Sequence, residues 1–170
     1  MICSKQLKTL ILFTFAVISS HFAYGQELEM EDIFDMYPLD SISLKKACND
    51  KDFSLVNIQE DHWIFSYTFR SNNKKEISFL RTFPKDTTAS KHLQYHFLSY
   101  KSYNKLRKQI RENGFTFTRE QKKDYGSVAY SREYYRNDVF EIALEEQLHQ
   151  GPHSFTLMLY KIPDVERRKE

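Results

Sequence analysis

Glycine is scarce in this 170-residue chain: there are 4, and beyond residue 25 they stand alone at Gly114, Gly126 and Gly151. Gly-rich phosphate loops and dinucleotide fingerprints need clustered glycines so that backbone N–H groups can approach a phosphate. Both are excluded. The Gly-x-Ser-x-Gly elbow and the His-Glu-x-x-His metal helix are missing as well, which removes the common hydrolase signatures. Cysteine is limited to Cys3 and Cys48, so no disulfide framework is available. Surplus charge is lacking too. Without Lys5 and Lys8, the 25 basic residues fall to 23 and face 23 acidic ones. A balanced chain is a poor ligand for nucleic acid, whose binding rests on surplus Lys and Arg neutralising phosphates.

What is present begins with an address. Lys5 and Lys8 precede an apolar run over residues 10–18, then a polar stretch ending Ala23-Tyr24-Gly25. That order of charged, apolar and small residues is that of a secretory signal, residues 1–25, cleaved near Gly25-Gln26. The run is short of the ~20 apolar residues that span a bilayer as a helix. The expected product is exported, periplasmic or extracellular, with no transmembrane anchor. Cys3 lies before the apolar run and leaves with the signal. Cys48, four residues after Leu44 in a predicted helix, reads as a buried small hydrophobe.

Residues 26–40 form an acidic leader with no assigned order, and residues 163–170 a charged tail. Between them, residues 41–162 read as one domain in which a pattern returns at an offset of 62, as repeats of about 41–100 and 101–162. Leu44 and Phe53 correspond to Leu106 and Phe115 across a helix and the strand after it. At the far end, Leu93, Tyr95 and Phe97 correspond to Phe155, Leu157 and Leu159. Between these ends lie alternating segments. Trp63, Phe65, Tyr67 and Phe69 share one strand face, followed by Ile77, Phe79 and Phe83; later, Phe140, Ile142 and Leu144 face inward with Glu141 and Glu145 outward. The second helix is expected to start near Ser102 and to end at Gly114.

The predicted fold is therefore α+β: two tandem helix-plus-four-antiparallel-strand repeats, with the helices on one sheet face. The other face is expected to carry Ser66, Thr68, Arg70, His92, Gln94, His96, Leu98, Tyr100, Glu141, Thr156, Met158 and Tyr160. The order of elements over residues 40–162 resembles the architecture of the β-lactamase inhibitor protein family. The helix ending in the Gly114-Phe115 step resembles small exported bacterial proteins of unknown function. Neither resemblance carries functional residues across.

Chemical candidates are few. The tetrads from Ser43 to Lys46 and from Ser102 to Lys105 have the Ser-x-x-Lys spacing of a nucleophile and its base, but they sit at helix starts, where serine caps and lysine is exposed. His92 and His96 on one strand face are ~13 Å apart, too far to share a metal ion. His149 and His153 flank a turn. The basic stretch 101–123 is interspersed with Glu112 and Glu120 and reads as a solvated face. Tyr125, Tyr130, Tyr134 and Tyr135 cluster at one hairpin as an interface candidate, part of which must be core.

These observations predict a non-catalytic binding or accessory protein, without cofactor or metal, engaging a protein or envelope component. Its candidate binding residues are Arg70, His96, Glu141 and Tyr160 on the open sheet face. The alternatives are an enzyme assembling His96, Glu141 and Arg70 in three dimensions, and a structural subunit of an envelope assembly.

Overall fold

The computed structural model describes residues 27–60, 62, 64–72, 76–84, 92–126, 128–149 and 153–162. The signal, the charged tail, Trp63 and the Gly151-Pro152 turn lie outside the described residues.

The chain is α+β, with three helices and one antiparallel sheet among the described residues. The helices are α1 (Met30–Met36), α2 (Ser41–Asp50) and α3 (Tyr100–Glu112). Strands β1 (Phe53–Glu60), β2 (Ile64–Ser71), β3 (Glu76–Pro84) and β4 (His92–Phe97) follow α2; β5 (Thr116–Asp124), β6 (Val128–Arg136), β7 (Phe140–His149) and β8 (Ser154–Lys161) follow α3. The eight strands lie in the order β1-β2-β3-β4-β8-β7-β6-β5. Each set of four is a meander, and the two meanders join through their last strands, where Leu93 faces Leu159, Tyr95 faces Leu157 and Phe97 faces Phe155.

Local chemistry sets the helix limits. The Asp40 carboxylate accepts from the Ile42 and Ser43 amides at 3.0 and 2.8 Å, capping α2. Leu44 and Cys48, one turn apart, form its buried stripe. Ser99 Oγ accepts from the Ser102 amide at 3.2 Å, so α3 starts two residues earlier than its sequence suggests. Tyr103, Leu106 and Ile110 bury one face of that helix. Both helices end on a left-handed residue, Asp52 (φ 62) after α2 and Gly114 (φ 81) after α3. Each is followed by a buried phenylalanine, Phe53 or Phe115. A bulge then interrupts β1 between Leu55 and Asn57 and β5 between Phe117 and Arg119, increasing the local twist at both sheet edges.

One core lies between the helices and a single sheet face. Phe69, Phe79, Tyr95, Phe97, Ile142 and Leu157 meet Leu44, Leu106 and Ile110 there. Tyr95 stacks on Phe97 at 4.9 Å and Phe97 on Phe155 at 5.5 Å, carrying the aromatic core across the central seam.

The acidic leader is not peripheral. Leu28, Met30, Ile33, Met36 and Tyr37 are buried in the main core, and the acids between them supply its polar fastenings. Lys105 meets Glu29 at 2.5 Å and Lys51 meets Asp32 at 2.6 Å. Gln109 Nε2 donates to Glu29 at 3.1 Å, while its Oε1 accepts from the Met30 amide at 3.3 Å. Composition suggested a leader because the charge is dense, but the apolar residues at helical spacing decide the outcome.

Arg81 follows Phe79 on the inward row of β3, facing Tyr67 and Leu93 on the neighbouring strands, and is 1% exposed. Its guanidinium donates to the Tyr37 carbonyl at 2.8 Å and the His92 carbonyl at 3.0 Å. It also packs 4.3 Å from the Tyr37 ring centroid. One side chain thus ties β3 to β4 and to the end of α1.

Candidate functional site

The sheet face away from the helices has no described helix or strand over it. Strand register arranges it in three rows. Ser66, Thr82, His92, Tyr160, Glu141 and Arg136 form one. Thr68, Gln94, Met158, Ala143 and Tyr134 lie in the next, in register through Leu80. Arg70, Ser78, His96, Thr156, Glu145 and Arg132 make the third.

Several of these groups are hidden although no helix covers them. Ser66, Thr82, Ala143, Thr156 and Glu145 are buried. The small side chains among them are flanked on the pleated sheet by the longer His92, His96, Tyr160 and Tyr134, and Glu145 is covered by Arg132 and Gln147, which bond it. Tyr134, Ala143 and Met158 form a small apolar cluster at the centre, with Tyr160 packed against it.

Around that cluster runs a polar network. Arg132 Nε donates to Glu145 at 2.8 Å, and its terminal nitrogen also contacts that carboxylate. Gln147 donates to the other Glu145 oxygen at 2.5 Å. Arg132 reaches the Tyr134 hydroxyl at 3.4 Å, and that hydroxyl donates to Gln121 at 3.3 Å. Arg119 lies 3.8 Å from the Tyr134 ring centroid and 3.8 Å from Glu141. Both oxygens of the buried Glu145 carboxylate thus accept hydrogen bonds, one of them from a guanidinium, which is what a charge in low dielectric requires.

The two histidines stand at the other side of the central seam. His96 Nδ1 lies 2.9 Å from Thr156 Oγ1, and His92 Nε2 lies 3.2 Å from Thr82 Oγ1. Burial holds the His96 imidazole below its ordinary value, against a weaker upward pull from Glu145. Burial, and secondarily the Arg81 charge, lowers His92. The His92 ring lies 5.9 Å from that of Tyr160.

Of the four sequence candidates, Glu141 and Tyr160 are directly paired across β7 and β8. Arg70 and His96 share a row but are two strands apart, ~10 Å between backbones. Glu141 is two strands and four residues away from His96, ~16 Å. Direct acid-base cooperation needs hydrogen-bond reach or one bridging water, so His96, Glu141 and Arg70 do not form a catalytic group. Leu98 and Tyr100 leave the face: β4 ends at Phe97, and Tyr100 opens α3 with its ring 5.9 Å from both Tyr103 and Phe155.

The tyrosine cluster divides by strand parity. Tyr135 is fully buried in the main core, so it is withdrawn from the interface set. Tyr134, its neighbour, belongs to the open face. Tyr130 lies 6.0 Å from the exposed Tyr125, with Arg132 5.3 Å from its ring. Arg132 was not singled out from the sequence. Its signal is the Asn137 turn, where Oδ1 accepts from the Val139 and Phe140 amides at 2.9 and 2.8 Å. Counting back from that turn pairs Arg136 with Glu141 and Arg132 with Glu145.

Among the described residues, no group of three or more His, Cys, Asp or Glu side chains is placed to hold a metal ion. No helix among them is long and apolar enough to cross a membrane. No protein-family model, curated protein or solved structure matches this chain.

Proposed function

We propose that this protein is an exported, non-catalytic binding domain that engages a protein or envelope component through its open sheet face. One observation carries the reading: a face with no described element over it holds a pre-ordered network, Arg132-Glu145-Gln147 with Tyr134, His96 and Thr156, around a small apolar centre. Fixing polar side chains before contact lowers the entropy cost of binding. Tyrosine, methionine and arginine beside one another supply the apolar area and donors that protein interfaces favour.

The two meanders are, in this reading, one helix-plus-four-strand unit used twice. The left-handed residues, the buried phenylalanines and the edge bulges recur at the same offset of 62. The offset is lost inside each half because the β5–β6 hairpin is longer by two residues on each strand. The β-lactamase inhibitor resemblance remains one of element order.

The experiment is a capture assay against envelope extract, comparing the wild type with a variant carrying Arg70→Glu, His96→Ala and Tyr160→Ala. A partner retained by the wild type and lost by the variant supports the reading. Equal capture by both rules out this face. N-terminal sequencing of the product made in cells is expected to begin near Gln26.

A further inference from the structure

Charge is divided unevenly between the two sides of the sheet. The chain beyond residue 25 is balanced, yet among the described strand residues the open face carries five cations and two carboxylates. Register places Arg70 on β2, Arg119 and Lys123 on β5, and Arg132 and Arg136 on β6. The carboxylates, Glu141 and Glu145, are held inside the face by arginine. Arg132 bonds Glu145, and Arg119 lies 3.8 Å from Glu141. Four of the cations stand on β5 and β6. They alternate with tyrosine along β6, as Tyr130-Arg132-Tyr134-Arg136, and Lys123, Gln121 and Arg119 face that row from β5. The strip runs ~20 Å along β6, at ~3.3 Å per residue.

We propose that the partner of the open face, once that face is taken as a binding surface, is an acidic polysaccharide lying along the β5–β6 strip. Surplus cation calls for an anionic partner. Arg119 sits over the Tyr134 ring at 3.8 Å with its side chain 57% exposed, so the N–H edge of its guanidinium is presented to a sugar carboxylate. Gln121 accepts from the Tyr134 hydroxyl through Oε1, which leaves its amide N–H groups for sugar hydroxyls. A protein or a membrane fits this strip less well, because apolar groups anchor both and the exposed ones stand elsewhere. Ile42 and Tyr100 are on the helices. Register with Tyr67, Tyr135 and Ala129 puts Ile58, Phe117 and Leu148 on the helix side of the sheet. The others lie in loops or in the β1 bulge. The apolar centre of the open face is itself buried, with Met158 7% and Tyr134 9% exposed.

The probe is polygalacturonate, a polymer of carboxylated sugars, titrated calorimetrically against the protein as cells make it, with neutral dextran and poly-glutamate as controls. Polygalacturonate is expected to bind more tightly than poly-glutamate of matched charge, and dextran not at all. Its affinity should fall as salt rises from ~50 to ~200 mM, because exposed charges are screened. Arg119→Gln with Lys123→Gln is expected to weaken binding about tenfold or more. Lys123→Gln alone alters one exposed side chain and should weaken it about threefold, a reading that does not depend on the double variant folding. Lys101→Gln with Lys108→Gln removes the same charge from exposed positions of α3 and should leave the affinity unchanged. Equal affinity for poly-glutamate, equal loss in the α3 variant, or no binding of polygalacturonate overturns the proposal. If polygalacturonate fails while the Arg70, His96 and Tyr160 variant still loses a partner captured from envelope extract, the binding face stands and its partner class is wrong. If the wild type captures nothing, the face falls as well.

Discussion

Asp52 and Gly114 occupy equivalent places at the ends of α2 and α3, both in left-handed backbone, one with a side chain and one without. Left-handed geometry costs a residue with Cβ roughly 1 kcal/mol, and aspartate tolerates it better than most. A Cβ built on Gly114 meets nothing within 4 Å. Gly114→Ala is therefore expected to destabilise by about 1 kcal/mol through backbone strain alone. Asp52→Gly is expected to be neutral or mildly stabilising. Urea unfolding of both variants measures the difference.

Those helix ends were half legible in the sequence. Gly114 announced its own conformation, whereas Asp52 did not, since aspartate is commoner in turns of ordinary hand. Alternation exposed the strands, and the matching rows at 93–97 and 155–159 marked what became the central seam. Arg81 was illegible because a charged residue on an inward row contradicts the pattern, and its partners are carbonyls distant in sequence. The leader was misread for a related reason: its acids are paired by Lys51, Lys105 and Gln109, which only the fold brings near. The open face was legible as a list of residues, except where β4 ended early. Its network was not, because pairing of Arg132 with Glu145 depends on hairpin register.

Arg81 fastens the leader, so its removal should loosen α1 before the rest. Arg81→Ala leaves two carbonyls without that donor and opens a cavity beneath Tyr37, at a cost of about 3 kcal/mol or more. Arg81→Lys is expected to recover only part of this, because a single ammonium lacks the planar fork that serves both carbonyls. Denaturant titration gives the stability. Hydrogen exchange over residues 28–37 is expected to accelerate more than over β8.

His92 and His96 set a pH dependence. Both folded-state values lie below the ordinary 6.5. Above 6.5 both states are neutral and the histidines contribute no slope. As pH falls below 6.5 the unfolded chain takes up protons that the folded chain refuses, so stability declines, by at most about 1.4 kcal/mol per pH unit per histidine, until the folded values are reached. His92→Gln with His96→Gln should flatten the curve between pH 6.5 and 5. A loss of stability on raising pH through this window would contradict the burial of the rings.

Cys48 is buried, and burial pushes its thiol up to about 12. The thiolate is the reactive form, so a thiol reagent at pH 8 should label it only as the protein opens. Labelling at the rate of a free thiol would mean that α2 does not cover it. Cys48→Ser is expected to cost about 1–3 kcal/mol, the penalty of placing a hydroxyl among Leu44 and its neighbours.

Arg132 and Glu145 separate ordering from stability on the open face. Arg132→Ala leaves a carboxylate that is 4% exposed and still bonded by Gln147 but stripped of its charged partner, an expected loss of about 3 kcal/mol. Removing both charges, Arg132→Met with Glu145→Leu, should cost far less, because neither ion is left unpaired and the apolar centre of Tyr134, Ala143 and Met158 extends over the site. A double variant as unstable as Arg132→Ala would mean that the pair is needed for folding itself. If the double variant is instead stable and well folded but no longer captures the partner retained by the wild type, the network's role is recognition, since the scaffold that presents it is intact.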